Sequence, residues 1–400
     1  MPRILVLSNG HGEDVSGSIL ARRLISIGNK VEALPIVGLG EVYKKEKINI
    51  IGKTRKFNTG GLGYNSLKGR IYDLFNGQIY YFFKKIWIVF LIRKKYDYFL
   101  VVGDIVPIFF AWLSNKKFFT YLVAYSSHYE GKLNLPWPCN YFLTSPNSIR
   151  IYTRDHLTSI DLSNQLKKEV LFFGNPFIDK LLKNNIKDSN NSFHIALLPG
   201  SRINELINNF ELMLDIIQEL ANYKFFKKIK FNFALSSDLK MGNVQNILEM
   251  RNWQFEKILS SDFKLLYSYK SIKVFFKWNS FEDILTESDF AISMSGTAAE
   301  QVVGMSKPVL QVEGKGPQFT KAFAEAQRRL LGKHVYCFTN FSNKNEQING
   351  TIDLIIKIMY LMKLDNYFLK SCKENARNRL GNKNATLKIT SDIEKYLISD

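Results

Sequence analysis

The chain of 400 residues is too long for one typical core and long enough for two domains of ordinary size. A content of 46% hydrophobic and 23% charged residues is typical of a globular protein and excludes a disordered one. The net charge of +19 favours an anionic partner, but no arginine-rich tract or zinc-finger spacing accompanies it, so we do not expect nucleic acid as that partner.

The cysteines are three scattered residues, Cys139, Cys337 and Cys372. Since they form neither a disulfide framework nor a metal-ligand spacing, we expect a reducing, cytoplasmic environment. The first apolar run, Ile4–Leu7, is too short for a signal peptide. The longest apolar region, Phe99–Leu113, contains Asp104 and Pro107, which argue against a membrane span.

The chain is predicted to have an α/β fold. In its first third, short apolar runs alternate with helical patterns, which predicts a parallel sheet covered on both faces. Ile4–Leu7 is the predicted first strand, and a helix is predicted from about Val15 to Ile27. Ligands bind at the carboxyl ends of strands in doubly wound sheets, so the loop between these two elements is well placed for chemistry. His11 and Glu13 in this loop are therefore candidate catalytic residues. The loop lacks the third glycine of a dinucleotide fingerprint, so NAD is not expected.

Residues 52–70 form a glycine-rich basic segment, and Gly52-Lys53-Thr54 resembles the end of a phosphate-binding loop of NTPases. That motif requires its first glycine where this chain has Lys47, so an NTPase is excluded. The next segment, residues 79–95, combines aromatic and aliphatic side chains with pairs of basic residues. One interpretation is a helix that lies on an anionic membrane surface, where each basic residue adds about 1 kcal/mol. The alternative is a helix packed on the sheet with its lysine side chains reaching out to water.

Tyr98–Val102 is the clearest buried strand of the first half, and Asp104 follows it just before Pro107 opens a helix. Asp104 is therefore either the cap of that helix or a catalytic base at the ligand-binding edge of the sheet. His128 is a weaker candidate, because a histidine in a loop is more often simply solvated.

The first domain is predicted to span residues 1–173, and the second residues 174–374, with 375–400 as a candidate completion of the first. Gly174-Asn175-Pro176 marks the boundary, since glycine and proline break regular structure. The tail from residue 351 onwards predicts two or three helices. The strands predicted for the second domain lie near residues 193–198, 229–235, 272–277, 289–293 and 308–313.

Two strand-to-helix corners of the second domain are candidate anion-binding sites. After the first of these strands, Gly200-Ser201-Arg202 turns directly into an amphipathic helix. Arg202 lies in the first helical turn, where its positive charge is unfavourable at the positive end of the helix dipole, so a bound anion is expected to compensate it. The alternative is a solvated arginine paired with Glu205. The second corner is Ser293–Glu300, whose small residues leave backbone amides and a positive dipole end free for a diphosphate. Its alternative is a plain capping box formed by Thr297 and Glu300.

Four motifs together resemble the lipid-A-disaccharide synthase family, in the same order and over about the first three quarters of the chain. They are Gly12–Ser18, Gly174–Asp179, Leu197–Arg202 and Met294–Glu300. The resemblance implies the GT-B fold, in which two Rossmann-like domains face each other across a cleft. It also implies a UDP-sugar held mainly by the second domain, an acceptor held by the first, and a final helix that crosses back to the first.

Carried over by this resemblance, Arg202 and the Ser295-Gly296-Thr297 turn would bind the diphosphate. Glu300 would lie near the ribose, and Asp104 corresponds to an aspartate that is important for activity. The opening loop departs from the family pattern, because Asp14-Val15 lengthens it and Ser18 replaces the final acid. Donor binding is therefore better supported than the identity of either sugar.

The leading hypothesis is an inverting glycosyltransferase that transfers a sugar from a UDP-sugar to a lipid-linked acceptor at the inner face of a membrane. The sequence has no Asp-x-Asp motif for a metal, so we expect the leaving UDP to be stabilised by the two helix N-termini and Arg202 without a cofactor. Gly200, Ser201, Lys315 and Gln318 would add further contacts to the nucleotide sugar. The alternatives are a nucleotide-sugar epimerase of the same fold and a non-catalytic peripheral lipid-binding protein. The sequence leaves the oligomeric state open.

Overall fold

The computed structural model describes residues 1–52, 54, 78–179, 181, 192–201, 203–258, 264–315 and 319–399. The chain divides into two compact units. The N-terminal unit comprises Met1–Asp179 together with Leu380–Asp400, and the C-terminal unit comprises Lys180–Arg379.

The N-terminal unit alternates strands with helices. Its strands are β1 (Arg3–Ser8), β2 (Lys30–Pro35), β3 (Tyr98–Gly103), β4 (Lys117–Leu122), β5 (Ser148–Thr153) and β6 (Val170–Leu171). Its helices before the crossing to the second unit are α1 (His11–Ser26), α2 (Glu41–Lys45), α3 (Gln78–Ile92), α4 (Ile105–Leu113), α5 (Ser127–Glu130), α6 (Cys139–Thr144) and α7 (His156–Leu166).

These six strands form one parallel sheet in the order β2-β1-β3-β4-β5-β6. Every residue of β3 is buried, because helices cover the sheet on both faces and the central strand touches water on neither. This is why the strand is a continuous apolar run in the sequence. The predicted α/β class and the predicted strand at Tyr98–Val102 are confirmed.

The C-terminal unit contains the remaining strands and most of the remaining helices. Its strands are β7 (His194–Leu198), β8 (Lys230–Leu235), β9 (Gln254–Ile258), β10 (Lys264–Tyr269), β11 (Ile272–Trp278), β12 (Phe290–Ser293), β13 (Val309–Gln311) and β14 (Val335–Cys337). Its helices are α8 (Ile203–Leu220), α9 (Met241–Met250), α10 (Phe281–Glu287), α11 (Gly296–Gly304), α12 (Lys321–Leu331), α13 (Lys344–Leu364) and α14 (Phe368–Leu380).

The eight strands form one sheet in the order β14-β13-β12-β7-β8-β11-β10-β9. The five strands predicted for this domain are present as β7, β8, β11, β12 and β13. This sheet is mixed, since β10 runs antiparallel to both β11 and β9. The turn between β10 and β11 has Lys270 at φ +53°, a conformation for which glycine or asparagine is the usual signal, so the sequence did not indicate the hairpin.

The last helix, α15 (Ala385–Ser399), belongs to the N-terminal unit and contacts α1. Ile389 and Ile393 enter the apolar core beneath α1 and are at most 1% exposed. The Tyr152 hydroxyl of β5 donates a hydrogen bond of 2.9 Å to Asp392 on the same helix. The chain therefore completes its first unit with its last helix.

Gly174-Asn175-Pro176, which the sequence marked as a domain boundary, contacts the segment that precedes α15, at Leu380 and Gly381. A Cβ on Gly381 would lie 2.4 Å from the Cα of Gly174, so the two backbones meet where neither residue has a side chain. The Asn175 amide donates to the Leu380 carbonyl at 2.8 Å. The Asp179 carboxylate accepts hydrogen bonds of 3.1 and 2.7 Å from the first two amides of α15, as a helix cap does.

Helix α3 has one face against the sheet and one aromatic face exposed. On the inner face Lys85 is buried and its Nζ donates to the Pro35 carbonyl at 3.0 Å. The alternative of a packed helix expected its lysine side chains to reach out to water, and for Lys85 this expectation is wrong. The exposed face carries Tyr80, Phe83, Trp87, Phe90 and Leu91, which recur at helical spacing. Across the described residues, no helix combines the length and apolar character that crossing a membrane requires.

Candidate functional site

The two strand-to-helix corners of the C-terminal unit lie side by side. Strands β7 and β12 are parallel neighbours, and the Met294 amide donates to the Leu198 carbonyl at 2.9 Å just beyond their ends. A Cβ on Gly200 would lie 3.4 Å from the Met294 carbonyl oxygen and 3.8 Å from the Ser295 Cβ. Gly200 has φ +98°, which L side chains rarely adopt, so glycine suits this turn for two reasons.

The second corner opens helix α11 without a side-chain cap. Ser295 is the N-cap residue in extended conformation, and none of the described side chains accepts a hydrogen bond there as a cap. The Ser293 hydroxyl instead stabilises the turn through two hydrogen bonds. It accepts one from the Ser295 amide at 3.3 Å and donates one to the Ser295 carbonyl at 3.0 Å. The first amides of α11 therefore have no intrahelical partner and point towards the ligand-binding edge of the sheet.

The proposed capping box at Thr297 and Glu300 is wrong. Thr297 is the second residue of α11 rather than its cap, and its side chain is exposed. Glu300 lies one turn further along and is 9% exposed. Gly296, the first residue of the helix, packs tightly, since a Cβ there would lie 3.0 Å from the Phe323 ring.

A third loop, after β13, is tied to the same corners. A Cβ on Gly314 would lie 2.7 Å from the Met294 Cε and 2.9 Å from the Asn209 Oδ1. The side-chain amide of Asn209, on α8, donates to the Pro199 carbonyl at 2.9 Å. Asn209 thus links the corner after β7 to the loop after β13. Asn209 was not predicted from the sequence, although an asparagine on an otherwise apolar helix face is a signal.

The remaining nucleotide-binding candidates differ in how far the structure describes them. Gly200 and Ser201 lie at the first corner, where Ser201 is exposed, and Lys315 is exposed in the loop after β13. Arg202 and Gln318 lie outside the described residues.

In the N-terminal unit, a group of polar residues lies at the carboxyl ends of β1 and β3. The Asn9 amide donates to both oxygens of Asp104, at 3.1 and 2.9 Å. Asp104 is also the N-cap of α4, where its Oδ1 accepts from the Val106 amide at 2.9 Å. Asp104 thus has the geometry of a helix cap, which was one of the two predicted roles. Both of its carboxylate oxygens already accept hydrogen bonds.

Glu13 lies in the same group, at the first turn of α1. Its side chain lies close to two glycines, which leave room for it because they have no Cβ. A Cβ on Gly10 would lie 2.7 Å from the Glu13 Oε2, and a Cβ on Gly103 would lie 3.1 Å from the Glu13 Cγ. Burial raises the pKa of Glu13 to about 7, and the nearby charge of Asp104 adds to the rise while Arg154 opposes it. A carboxyl group with this pKa can exchange a proton near neutral pH.

Helix α1 begins at His11, earlier than the predicted start near Val15. Gly10 is its N-cap at φ +136°, so the helix starts without the serine, threonine or aspartate that usually signals a start. The residues predicted to lie in a loop are therefore in the first helical turn. The side chain of His11 is outside the described part of the structure.

His128 and the end of β5 form a separate hydrogen-bonded cluster. The His128 Nε2 lies 3.7 Å from Asp155 Oδ1, and Asp155 also accepts a hydrogen bond of 2.8 Å from the Ser126 hydroxyl. Arg154 is 7% exposed and donates to the Val123 carbonyl at 2.9 Å. Arg154 was not predicted from the sequence as a charge that acts on Glu13, although it directly follows a buried strand. Within the described ranges, no three His, Cys, Asp or Glu side chains are grouped so that they could hold a metal ion.

No known protein-family model and no curated protein matches this sequence. Solved structures do match over nearly the whole chain. The UDP-GlcNAc 2-epimerase from Neisseria meningitidis, bound to UDP-GlcNAc, is 16% identical with a TM-score of 0.58, covering 98% of this chain and 100% of its own. MurG from Acinetobacter baumannii is 12% identical with a TM-score of 0.59, covering 99% and 100%.

The spinosyn rhamnosyltransferase SpnG, in complex with thymidine diphosphate, is 10% identical with a TM-score of 0.57 and covers 97% of this chain and 99% of its own. At such identities the likeness establishes the fold and leaves the reaction open. The parallel six-stranded sheet, the mixed eight-stranded sheet and these neighbours together show that the chain has the GT-B fold, with two Rossmann-like α/β units.

Proposed function

We propose that this chain is an inverting glycosyltransferase whose C-terminal unit binds a UDP-sugar. The observation that supports this best is the adjacent placement of the corners at Gly200 and Ser295, which brings two helix N-termini to one edge of the sheet. A diphosphate needs such a set of amides and positive dipole ends. Structures of the same fold bind UDP-GlcNAc and thymidine diphosphate, which makes a nucleotide sugar the expected donor class.

The roles of Arg202, the Ser295-Gly296-Thr297 turn and Glu300 in this proposal follow the family resemblance, and those of Ser201, Lys315 and Gln318 are proposed from the sequence. Ser295, Gly296 and Thr297 would contact the diphosphate through backbone amides, together with Ser201 and Arg202. Glu300 would hold the ribose, and Gln318 and Lys315 would contact the sugar or the diphosphate. The amides and Arg202 would carry the charge that develops on the leaving UDP, so the proposed reaction needs no metal ion.

In the proposed reaction Glu13 is the general base. The acceptor hydroxyl attacks the anomeric carbon of the donor, its proton passes to the Glu13 carboxylate, and the bond to UDP breaks. A pKa near 7 suits this role, and a positioned base typically contributes about 10²- to 10⁴-fold to the rate. Asp104 and His11 remain candidates, but the hydrogen bonds that Asp104 accepts from Asn9 and Val106 favour a positioning role for it.

We propose a lipid-linked acceptor presented by the inner face of an anionic membrane. The supporting observation is the aromatic face of α3, on which Trp87 is 62% exposed and Phe83 65% exposed. Lys84, Lys94 and Lys95 are exposed around this face. Aromatic side chains with flanking lysines suit the headgroup region of such a membrane.

The test is a reaction with UDP-sugars in the presence of anionic vesicles that contain lipid-linked sugar acceptors. The proposal predicts UDP release coupled to acceptor glycosylation, with inversion at the anomeric carbon. Glu13→Gln should lower the rate by about 10²- to 10⁴-fold, while the exposed acid Glu41→Gln in the same unit should not.

Two outcomes would contradict the transferase proposal. Isomerisation of the UDP-sugar with no acceptor consumed would identify an epimerase, the activity of the Neisseria meningitidis neighbour. Lipid binding without any affinity for UDP would identify a non-catalytic lipid-binding protein.

A further inference from the structure

A buried chain of hydrogen bonds leads from α2 to the first turn of α1. The Tyr43 hydroxyl donates to the Ser8 Oγ at 2.9 Å, and the Ser8 hydroxyl donates to the Asp14 Oδ1 at 2.6 Å. Tyr43 and Ser8 are 0% exposed and Asp14 is 2% exposed. The Ser8 hydroxyl therefore holds the Asp14 carboxylate, and the Tyr43 hydroxyl in turn holds Ser8.

Helix α1 is shaped to admit this chain of hydrogen bonds. A Cβ on Gly17 would lie 2.2 Å from the Tyr43 hydroxyl oxygen, so the ring reaches Ser8 across a helix position that has no side chain. The second carboxylate oxygen of Asp14 faces the turn at Gly38, where a Cβ would lie 3.7 Å away. Gly38 has φ +98°, a conformation that favours glycine. The surroundings of Asp14 thus fix its side chain in one orientation.

Asp14 directly follows Glu13 in the first helical turn, and its charge adds to the rise of the Glu13 pKa, after burial and the charge of Asp104. Burial raises the pKa of Asp14 to about 7, and the hydrogen bond from Ser8 opposes that rise. The charges that face Glu13 are Asp14 on its own helix, Asp104 after β3 and Arg154 after β5. A negative charge on Asp14 therefore disfavours the charged form of Glu13 and adds to the rise of the Glu13 pKa.

We propose that Asp14 is a positioning residue that acts through Glu13: the hydrogen bonds from Tyr43 to Ser8 and from Ser8 to Asp14 fix a second carboxyl group in the same helical turn, and its charge helps to keep the proton on Glu13. This rests on the proposed function in assigning Glu13 as the base.

The experiment is a titration of Glu13 by nuclear magnetic resonance, with the full-length protein carrying ¹³C at the glutamate side-chain carboxyl carbons. Glu13→Gln assigns the signal by its disappearance. We expect the Glu13 midpoint near neutral pH in the wild type, and lower by about half a pH unit or more in Asp14→Asn, because a neighbouring negative charge is gone. Asp97→Asn, which removes an exposed acid of the same unit, should leave the midpoint unchanged.

A second variant keeps the test decisive if Asp14→Asn does not fold. Ser8→Ala removes the hydrogen bond that favours the charged form of Asp14, so Asp14 should remain neutral to higher pH and the Glu13 midpoint should again fall. Near-ultraviolet circular dichroism identifies the folded variants. A Glu13 midpoint that is the same in the wild type and in a folded Asp14→Asn or Ser8→Ala variant would overturn the proposal.

The titration needs no substrate, so its outcome is separate from that of the transferase test. A midpoint that shifts in a protein that transfers no sugar would support the coupling and reject the transferase. Sugar transfer by a protein whose Glu13 midpoint does not shift in the variants would support the transferase and reject the effect of Asp14 on Glu13. If both hold, the acidic limb of the pH–rate profile should move to lower pH in Asp14→Asn by the same amount as the midpoint.

Discussion

At the scale of single residues, Glu13 shows how a poorly solvated carboxyl group ties stability to pH. Its pKa rises from 4.5 to about 7 on folding because burial disfavours the charged form. A raised pKa means that the folded state binds the proton more tightly than the unfolded state. The contribution of this proton to the free energy of unfolding is therefore fully present below about pH 4.5. It is lost as the pH rises through about 7.

Glu13→Gln should remove this dependence, since glutamine does not titrate. Relative to the wild type, the variant should gain on the order of 2–3 kcal/mol in free energy of unfolding between pH 5 and pH 8. Chemical denaturation of both proteins at the two pH values measures the difference. An equal pH dependence in the two proteins would contradict the raised pKa.

Single residues also mark where sequence patterns stop being informative. The corners at Gly200 and Ser295 could be predicted, because a buried strand followed at once by small residues and a helix is a local pattern. The partners of Asp14 could not, since Tyr43 lies 35 residues from Ser8 and only the sheet brings them together. The capping box at Thr297 was wrong because Ser295, two residues earlier, ends the extended backbone.

At the scale of elements, Gly174 and Gly381 meet closely where the chain returns to the first unit just before α15. Gly381→Ala should lower the free energy of unfolding by about 2–4 kcal/mol, because its Cβ would lie 2.4 Å from the Gly174 Cα and its φ of +85° is strained for alanine. Gly131→Ala is the matched control, with φ +81° and nothing within 4 Å. It should cost about 1–2 kcal/mol from backbone strain alone. Equal losses in thermal or chemical denaturation would show that the close contact adds nothing.

The exposed face of α3 makes a prediction about membranes. Replacing Phe83 and Trp87 by serine should weaken binding to vesicles with anionic headgroups by on the order of tenfold or more, since both side chains would leave the interface. Vesicle sedimentation measures this binding. Phe225→Ser, at a phenylalanine that is 60% exposed on the C-terminal unit, should have no effect. Unchanged binding of the α3 variant would show that α3 is not the membrane contact.

Elements were predictable where packing and local pattern agree. The fully buried strand β3 was found because both of its faces are apolar, and three helices close the chain as expected. The hairpin of β10 and β11 was missed because its turn lacks the usual residues and strand β9 is exposed throughout, so it shows no alternation. The helix α3 illustrates an ambiguity that sequence alone left open, since one of its faces is packed and the other is exposed.

At the scale of the molecule, the final helix links the stability of the N-terminal unit to the far end of the chain. Ile389→Ala should lower the free energy of unfolding by about 2–5 kcal/mol, because Ile389 is 0% exposed in the core beneath α1. Leu387→Ala, on the same helix but 44% exposed, should stay within about 0.5 kcal/mol of the wild type. Chemical denaturation followed by the signal of the N-terminal unit compares the two. Similar losses would mean that α15 does not complete the core.

The proposed function requires a diphosphate site at the adjacent corners of the C-terminal unit, and calorimetric titration with UDP tests for that site. Thr297→Glu places a negative charge on the exposed second residue of α11, where it favours the helix by about 0.3–1 kcal/mol but repels an incoming diphosphate. Thr297→Gln matches its size without the charge. We predict that the wild type and Thr297→Gln bind UDP and that Thr297→Glu binds it at least about tenfold more weakly. UDP binding that is equal in the glutamate and glutamine variants, or absent from the wild type, would contradict the account.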